Sequence, residues 1–199
     1  MKFVFKLLFL CILLSSCTEK NKTFVASEIQ ILPKPLSIEV FEESFEIHHK
    51  TTISITNEEQ QIAAKHLMNL IDSTTKQQIA IKKNKKATIT FIKNSALKPE
   101  AYLLTVTPKN IKIEANDASG YFYGVQTINQ LLTKHITEES TKTKWLIPSV
   151  IIKDQPRFKW RAYMLDESRY FHGEAFVKRI LDEMAVLKMN IFHWHLIDD

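Results

Sequence analysis

Arg157-Phe158-Lys159-Trp160-Arg161-Ala162-Tyr163-Met164-Leu165-Asp166-Glu167-Ser168-Arg169-Tyr170-Phe171, then a helical stretch, then Asn190-Ile191-Phe192-His193-Trp194-His195-Leu196-Ile197-Asp198-Asp199, decide how this chain is read. Trp160 to Leu165 and Asn190 to Ile197 have the apolar and aromatic content of strands. Between them Glu174 to Leu187 places Phe176, Ile180, Met184 and Leu187 at helical spacing, as an inward face. A strand, a crossover helix and a second strand form a βαβ unit with parallel strands. Repeats of this kind close into TIM (β/α)8 barrels, whose reactive groups sit at the carboxyl ends of the strands. Asp166-Glu167-Ser168-Arg169 and Asp198-Asp199 both fall there. The expectation is the first βαβ segment of a truncated barrel, residues 156–199, with an incomplete catalytic domain.

Upstream, residues 18–155 read as an α+β amino-terminal domain, a sheet with two helices. Strands are expected at Leu36 to Phe41, Phe45 to His48, Thr51 to Ile55, Gln78 to Ile81, Ala87 to Ile92, Tyr102 to Thr107 and Asn110 to Ala115, the last two as a hairpin around Pro108-Lys109. Asn57 caps a helix to about Ser73 with Ile62, Ala63, Leu67, Leu70 and Ile71 on one face. Asp117 caps a second from Ala118 to about Lys134 with Phe122, Val125, Ile128, Leu131 and Leu132 repeating. Strand pairing is expected to be mostly local. Thr137 to Lys144 reads as a polar surface loop, and Asp154-Gln155-Pro156 as a boundary turn.

The amino terminus sets the compartment. Met1-Lys2 and Lys6 accompany an apolar run from Val4 to Leu14 that is too short to span a bilayer and has the form of a secretory signal. Leu14-Ser15-Ser16-Cys17 resembles the lipobox of bacterial lipoproteins, so residues 1–17 are expected to be a signal peptide and Cys17 the lipidated mature terminus. That makes the protein an exported, cell-envelope lipoprotein held to a membrane by its acyl anchor. Cys11 would leave with the signal, and without it the mature chain has no thiol left for a disulfide. The net charge of +5 includes Lys2 and Lys6, so no nucleic-acid partner is expected. Lys82, Lys83, Lys85 and Lys86 form a run without interleaved aromatics, which reads as a solvated turn.

Every arginine, Arg157, Arg161, Arg169 and Arg179, falls after residue 156, while lysine supplies the earlier cations. Arginine's planar fork donates two parallel hydrogen bonds, which makes these positions candidates for binding. Asp198 and Asp199 point in opposite directions on an extended chain, so at most one faces the barrel mouth. His193 and His195 lie two apart on one face, a spacing that also suits a divalent cation in a metal-dependent barrel hydrolase. Hydrogen bonding inside the barrel wall is the favoured reading of both imidazoles, and full activity after chelation would exclude the metal. No cofactor or metal is assigned. A third reading makes the α+β domain a non-enzymatic carbohydrate-binding or interaction module, which glycan binding by residues 28–155 would support. The Tyr121-Phe122-Tyr123 cluster sits on an amphipathic helix and reads as core.

Pro156-Arg157-Phe158, Trp160-Arg161, Met164-Leu165-Asp166, Ser168-Arg169, Phe171, Lys188-Met189-Asn190 and Phe192-His193-Trp194-His195-Leu196 with Asp198-Asp199 resemble the glycoside hydrolase family 20 β-N-acetylhexosaminidases. Glu100-Ala101-Tyr102, Val106-Thr107-Pro108 and Gly120 to Thr127 resemble the non-catalytic domain that precedes the barrel in that family. The resemblance implies hydrolysis of terminal, non-reducing β-linked N-acetylglucosamine or N-acetylgalactosamine. It implies a retaining mechanism in which the substrate's own acetamido oxygen attacks the anomeric carbon, outside the usual two-carboxylate scheme. Arg169 matches the arginine that grips sugar hydroxyls. Asp198 matches the aspartate that supports the catalytic acid through a downstream histidine. Tyr170 stands where histidine is commoner and Ala162 where glycine is. The family's catalytic Asp-Glu pair lies on a later strand, so these residues alone are expected to be inactive.

Overall fold

A computed structural model describes Phe24 and residues 28–83, 85–134 and 144–198. The signal segment with Cys17, most of the polar stretch from Thr137, and Asp199 lie outside the described residues. The elements are β1 (Ser37–Ile47), β2 (Thr52–Ile55), α1 (Gln61–Thr75), β3 (Ala80–Lys83), β4 (Ile89–Lys93), β5 (Tyr102–Val106), β6 (Ile111–Ala115), α2 (Ala118–Lys134), β7 (Trp145–Asp154), β8 (Ala162–Asp166), α3 (Glu174–Val186) and β9 (Ile191–His195).

Strands β1 to β7 form one seven-stranded sheet in the order β1-β7-β5-β6-β4-β2-β3. Pairing is not mostly local, contrary to the expectation from the sequence. Only β5 and β6 pair as a hairpin, Tyr102 opposite Ala115 through Val106 opposite Ile111. The β6, β4, β2 and β3 side is parallel, and β1 pairs with β7, which lies far along the chain. Leu36–Phe41 and Phe45–His48, read as two strands, are one strand whose pairing shifts between Val40 and Ser44. Strand β7 was not foreseen. Ile147, Pro148, Ser149 and Val150 are all buried, so the period-two alternation that marks a half-exposed strand is missing. Pro148 lies opposite Ser44 at the irregular part of the β1 ladder, where β5 has not yet begun to pair; the missing N–H therefore interrupts no regular double-sided ladder.

The hairpin shows how the sequence makes the sheet. On β6, Ile111, Ile113 and Ala115 are buried while Lys112 and Glu114 alternate outward, and Tyr102, Leu104 and Val106 do the same on β5. Helices α1 and α2 cover the buried face. Asn57 caps a single 3-10 turn at Glu58–Gln60, with Gln60 answering back to complete a capping box, and α1 runs on from there. Its buried stripe is Ala63, Ala64, Leu67 and Ile71. Ile62, expected inward, is 72% exposed, because it lies about 100° around the helix from Ala63. Asp117 accepts a 2.7 Å bond from the Gly120 amide at the start of α2. Tyr121, Val125, Ile128, Leu131 and Leu132 are buried, whereas Phe122 is half-buried and meets the His66 ring at 5.2 Å. Each fully buried aliphatic side chain of this kind stabilises the fold by about 2 kcal/mol.

Strands β8 and β9 pair in parallel, Ala162 opposite Ile191 through Asp166 opposite His195, with α3 as the crossover. On α3, Val177 and Met184 are the buried residues, Phe176 and Ile180 are half-buried, and Leu187 is exposed. The inward face is thus rotated toward Val177 from the one expected.

Two ionic clusters join this unit to the sheet. The Arg161 guanidinium donates to Glu100 at 2.7 Å, to the Tyr123 hydroxyl at 2.8 Å and to the Lys188 carbonyl at 2.8 Å. Lys188 Nζ donates to Asp154 at 2.9 Å and to the Tyr102 hydroxyl at 2.8 Å. Lys188 has φ 57° at the left-handed position that ends α3. Its amide bonds to the Ala185 carbonyl and that of Met189 to the Met184 carbonyl, the paired bonds of a Schellman motif in which glycine is the usual residue.

Candidate active site at the strand ends

Parallel pairing sets Asp166 beside His195, and both side chains point to the face that also carries Met164 and His193. The next residues leave the strands, so ionisable groups collect at one rim. Asp166 Oδ1 accepts from the Ser168 hydroxyl at 2.7 Å, the Ser168 amide at 3.0 Å and the Arg169 amide at 3.4 Å. This is an Asx turn that folds the chain back directly after β8. The Ser168 hydroxyl is the largest cause that holds the Asp166 carboxyl below the ordinary aspartate value.

His195 bridges the two strand ends. Its Nδ1 is 3.4 Å from Asp166 and its Nε2 is 3.2 Å from Asp198. Arg169 Nε lies 3.5 Å from Asp198 Oδ2, and the Ser168 hydroxyl reaches the same oxygen at 3.4 Å. The structure therefore brings together Arg169 and Asp198, residues from different strand ends. Arg169, with a side chain 80% exposed, presents its guanidinium to solvent and can bind hydroxyl oxygens or an anion. The Asp166, His195 and Asp198 groups form a chain with the imidazole in the middle, and among the described residues no three His, Cys, Asp or Glu side chains converge as a metal-ligand set. His193 is exposed.

Asp166, Ser168 and Glu167 carry no individual signal in the sequence reading. Asp166 and Ser168 were noted only as part of a polar run, although Asp-x-Ser after a strand is itself an Asx-turn signal. His195 as a bridge becomes visible only once the register is known. Glu167, the third, is buried, with a side chain 2% exposed. Its Oε1 accepts from the His172 amide at 2.8 Å and its Oε2 from the Trp194 indole N–H at 3.0 Å. The His172 amide is the leading cause that lowers its carboxyl below the ordinary glutamate value.

A cavity of about 210 Å³ lies at the opposite, amino-terminal ends of β8 and β9, beside Glu100, Tyr123, Asp154, Arg161 and Lys188. Those polar groups are paired with one another. Burial, followed by the Glu100 carboxylate, pushes the Tyr123 hydroxyl up to about 12. The rim, rather than this cavity, carries the exposed chemistry.

The sequence pattern of "Glycosyl hydrolase family 20, domain 2" matches residues 28–155, and that of "Glycosyl hydrolase family 20, catalytic domain" matches residues 158–199. The chain belongs to glycoside hydrolase family 20. Within the family, it is 34% identical to a beta-hexosaminidase of Porphyromonas gingivalis over 96% of this chain and 26% of that protein. A beta-hexosaminidase of Vibrio furnissii is 35% identical over 87% of this chain and 27% of its own length. The chain thus spans about a quarter of these relatives. Among solved structures, the family 20 exo-β-N-acetylglucosaminidase of Vibrio harveyi in complex with N-acetylglucosamine superposes with a TM-score of 0.76 at 31% identity, over 89% of this chain and 27% of that one. A mutant Streptomyces plicatus β-hexosaminidase with bound product gives 0.77 at 29% identity, over 89% and 36%. The α+β sheet followed by a β/α unit is the arrangement expected from the sequence.

Proposed function

We propose that the protein encoded by this gene is a β-N-acetylhexosaminidase that removes terminal β-linked N-acetylhexosamine from glycans with retention. Arg169 grips hydroxyls of the terminal sugar. Asp198, which shares His195 and Arg169 with Asp166, supports the proton chemistry of the acid. The catalytic Asp-Glu pair of the family is placed on a later strand, and no residue from 28 to 198 is assigned either of its roles. The observation that carries this reading is the Arg169–Asp198 pair, held at the carboxyl ends of β8 and β9 in a family 20 chain.

The test is hydrolysis of 4-nitrophenyl N-acetyl-β-D-glucosaminide by the protein as its gene encodes it, with proton NMR of the released sugar. The β-anomer should appear first. Arg169→Ala should lower kcat/KM by at least about a hundredfold, the lower bound for losing two charge-assisted hydrogen bonds. Release of the α-anomer first, or an unaffected Arg169→Ala variant, would reject the assignment.

The location of the protein in the cell envelope, through an acyl chain on Cys17, is part of the same proposal. It is supported by the apolar run before Leu14-Ser15-Ser16-Cys17. A Cys17→Ser variant should move from the membrane fraction to the soluble one, and a variant that stays membrane-bound would remove the anchor.

A further inference from the structure

We infer that Glu167 is a positioning residue that sets the direction of Arg169, an inference that rests on the sugar-gripping reading of that arginine. The ion pair of Arg169 with Asp198 is long, 3.5 Å from Nε to Oδ2, and the side chain is 80% exposed, so it holds the guanidinium loosely. Its direction has to come from the backbone of the loop that follows β8. That loop is pinned at both ends. Asp166 holds the near end through the amides of Ser168 and Arg169, and Glu167 holds the far end through the amide of His172 at 2.8 Å.

The same carboxylate ties the loop to the neighbouring strand. Its second oxygen takes the Trp194 indole N–H at 3.0 Å, and its own amide donates to the His195 carbonyl at 2.8 Å, which extends the β8–β9 ladder by one residue. Gly173, at φ 85°, then begins α3, and the His172 ring stacks on Phe176 of that helix at 4.5 Å. One buried carboxylate therefore joins β9, the end of the loop and the entry to α3, with Arg169 in the span between its anchors. The His172 amide and the Trp194 indole each donate to a different oxygen of this carboxylate, with the His172 Nδ1 3.6 Å away. An isosteric amide offers only one acceptor oxygen and turns its NH2 toward the other donor. A buried acceptor with both partners is also an arrangement that burial alone would not favour.

Fixing the loop removes conformational freedom that the sugar would otherwise have to quench, so the effect belongs in KM more than in kcat. The experiment measures kcat and KM on 4-nitrophenyl N-acetyl-β-D-glucosaminide for the encoded protein, Glu167→Gln, Arg169→Ala and the double variant. Glu167→Gln is expected to raise KM about tenfold with kcat changed little, since misplacement of a binding group by an ångström can cost up to about a hundredfold. The double variant should be no worse than Arg169→Ala alone, because Glu167 acts through the arginine. Trp194→Phe removes the donor to Oε2 and should give a smaller rise in KM with the same lack of additivity. It keeps the test open should Glu167→Gln fold poorly. An unchanged KM in Glu167→Gln, or losses that multiply in the double variant, would overturn the inference while leaving the role of Arg169 standing. If Arg169→Ala leaves kcat/KM itself unchanged, the sugar-gripping reading fails and this inference fails with it.

Discussion

Lys188 combines two features that each oppose its presence. It takes a left-handed backbone conformation, φ 57°, that glycine would adopt at about 1 kcal/mol less, and it buries an ammonium whose side chain is 6% exposed. Burial is the main cause that lowers its amine below the ordinary lysine value, and Asp154 opposes that shift. The compensation is the pair of contacts to Asp154 and Tyr102 across the junction between the sheet and β9. Lys188→Met strands the Asp154 carboxylate and is expected to cost about 3 kcal/mol, measured by urea unfolding. Adding Asp154→Asn should recover most of that loss, because the amide carries no charge and still accepts from Tyr102.

The Arg161–Glu100 pair nearby has a pH signature. Hydrogen bonding from Arg161 is the leading cause that holds the Glu100 carboxyl below its ordinary value. A lowered carboxyl contributes stability that is present above the ordinary glutamate range and is lost as the pH falls through its folded value. Melting curves on the acid side of that range should therefore fall less steeply in Glu100→Gln than in the unaltered protein, and equal slopes would show that the pair does not contribute.

Helix α2 rests closer to the sheet than any side chain on its inner turn would allow. A methyl at Gly120 would run into the Ala101 carbonyl oxygen and lie 2.8 Å from Ala115 Cβ, and one at Gly124 would lie 2.7 Å from Ile113 Cγ2. Gly120→Ala is expected to destabilise the protein by about 2 kcal/mol, as overpacking at a backbone contact does, despite alanine's better helix propensity. A gain in melting temperature would mean that the helix can lift away.

This helix was legible from sequence because its cap, its length and its periodicity are all local. Strand β7 was not, since burial of Ile147 through Val150 erases alternation and its pairing with β1 joins segments that no window spans together. The same division holds at the site. Arg169 and Asp198 could be named from their motifs, whereas the Asp166–His195 contact depends on strand register. Glu167 looks like a surface charge until its parity with Leu165, and so its burial, is known.

At the scale of the molecule, the sheet presents the β8–β9 unit through charged groups at the strands' amino ends and leaves the opposite rim for chemistry. Arg161 and Lys188 are fastened to Glu100, Asp154, Tyr102 and Tyr123, so the sheet domain anchors β8 and β9 at their amino ends. Arg169, proposed to grip the sugar, stays exposed at the far end.

The measurement that bears most directly on this protein's role compares 4-nitrophenyl N-acetyl-β-D-glucosaminide with 4-nitrophenyl β-D-glucoside, using the protein as its gene encodes it. A reaction carried by the substrate's acetamido oxygen requires rapid hydrolysis of the first and at least about a thousandfold slower turnover of the second, a difference of roughly 4 kcal/mol in barrier. Comparable rates on the two substrates would contradict an acetamido-assisted hexosaminidase.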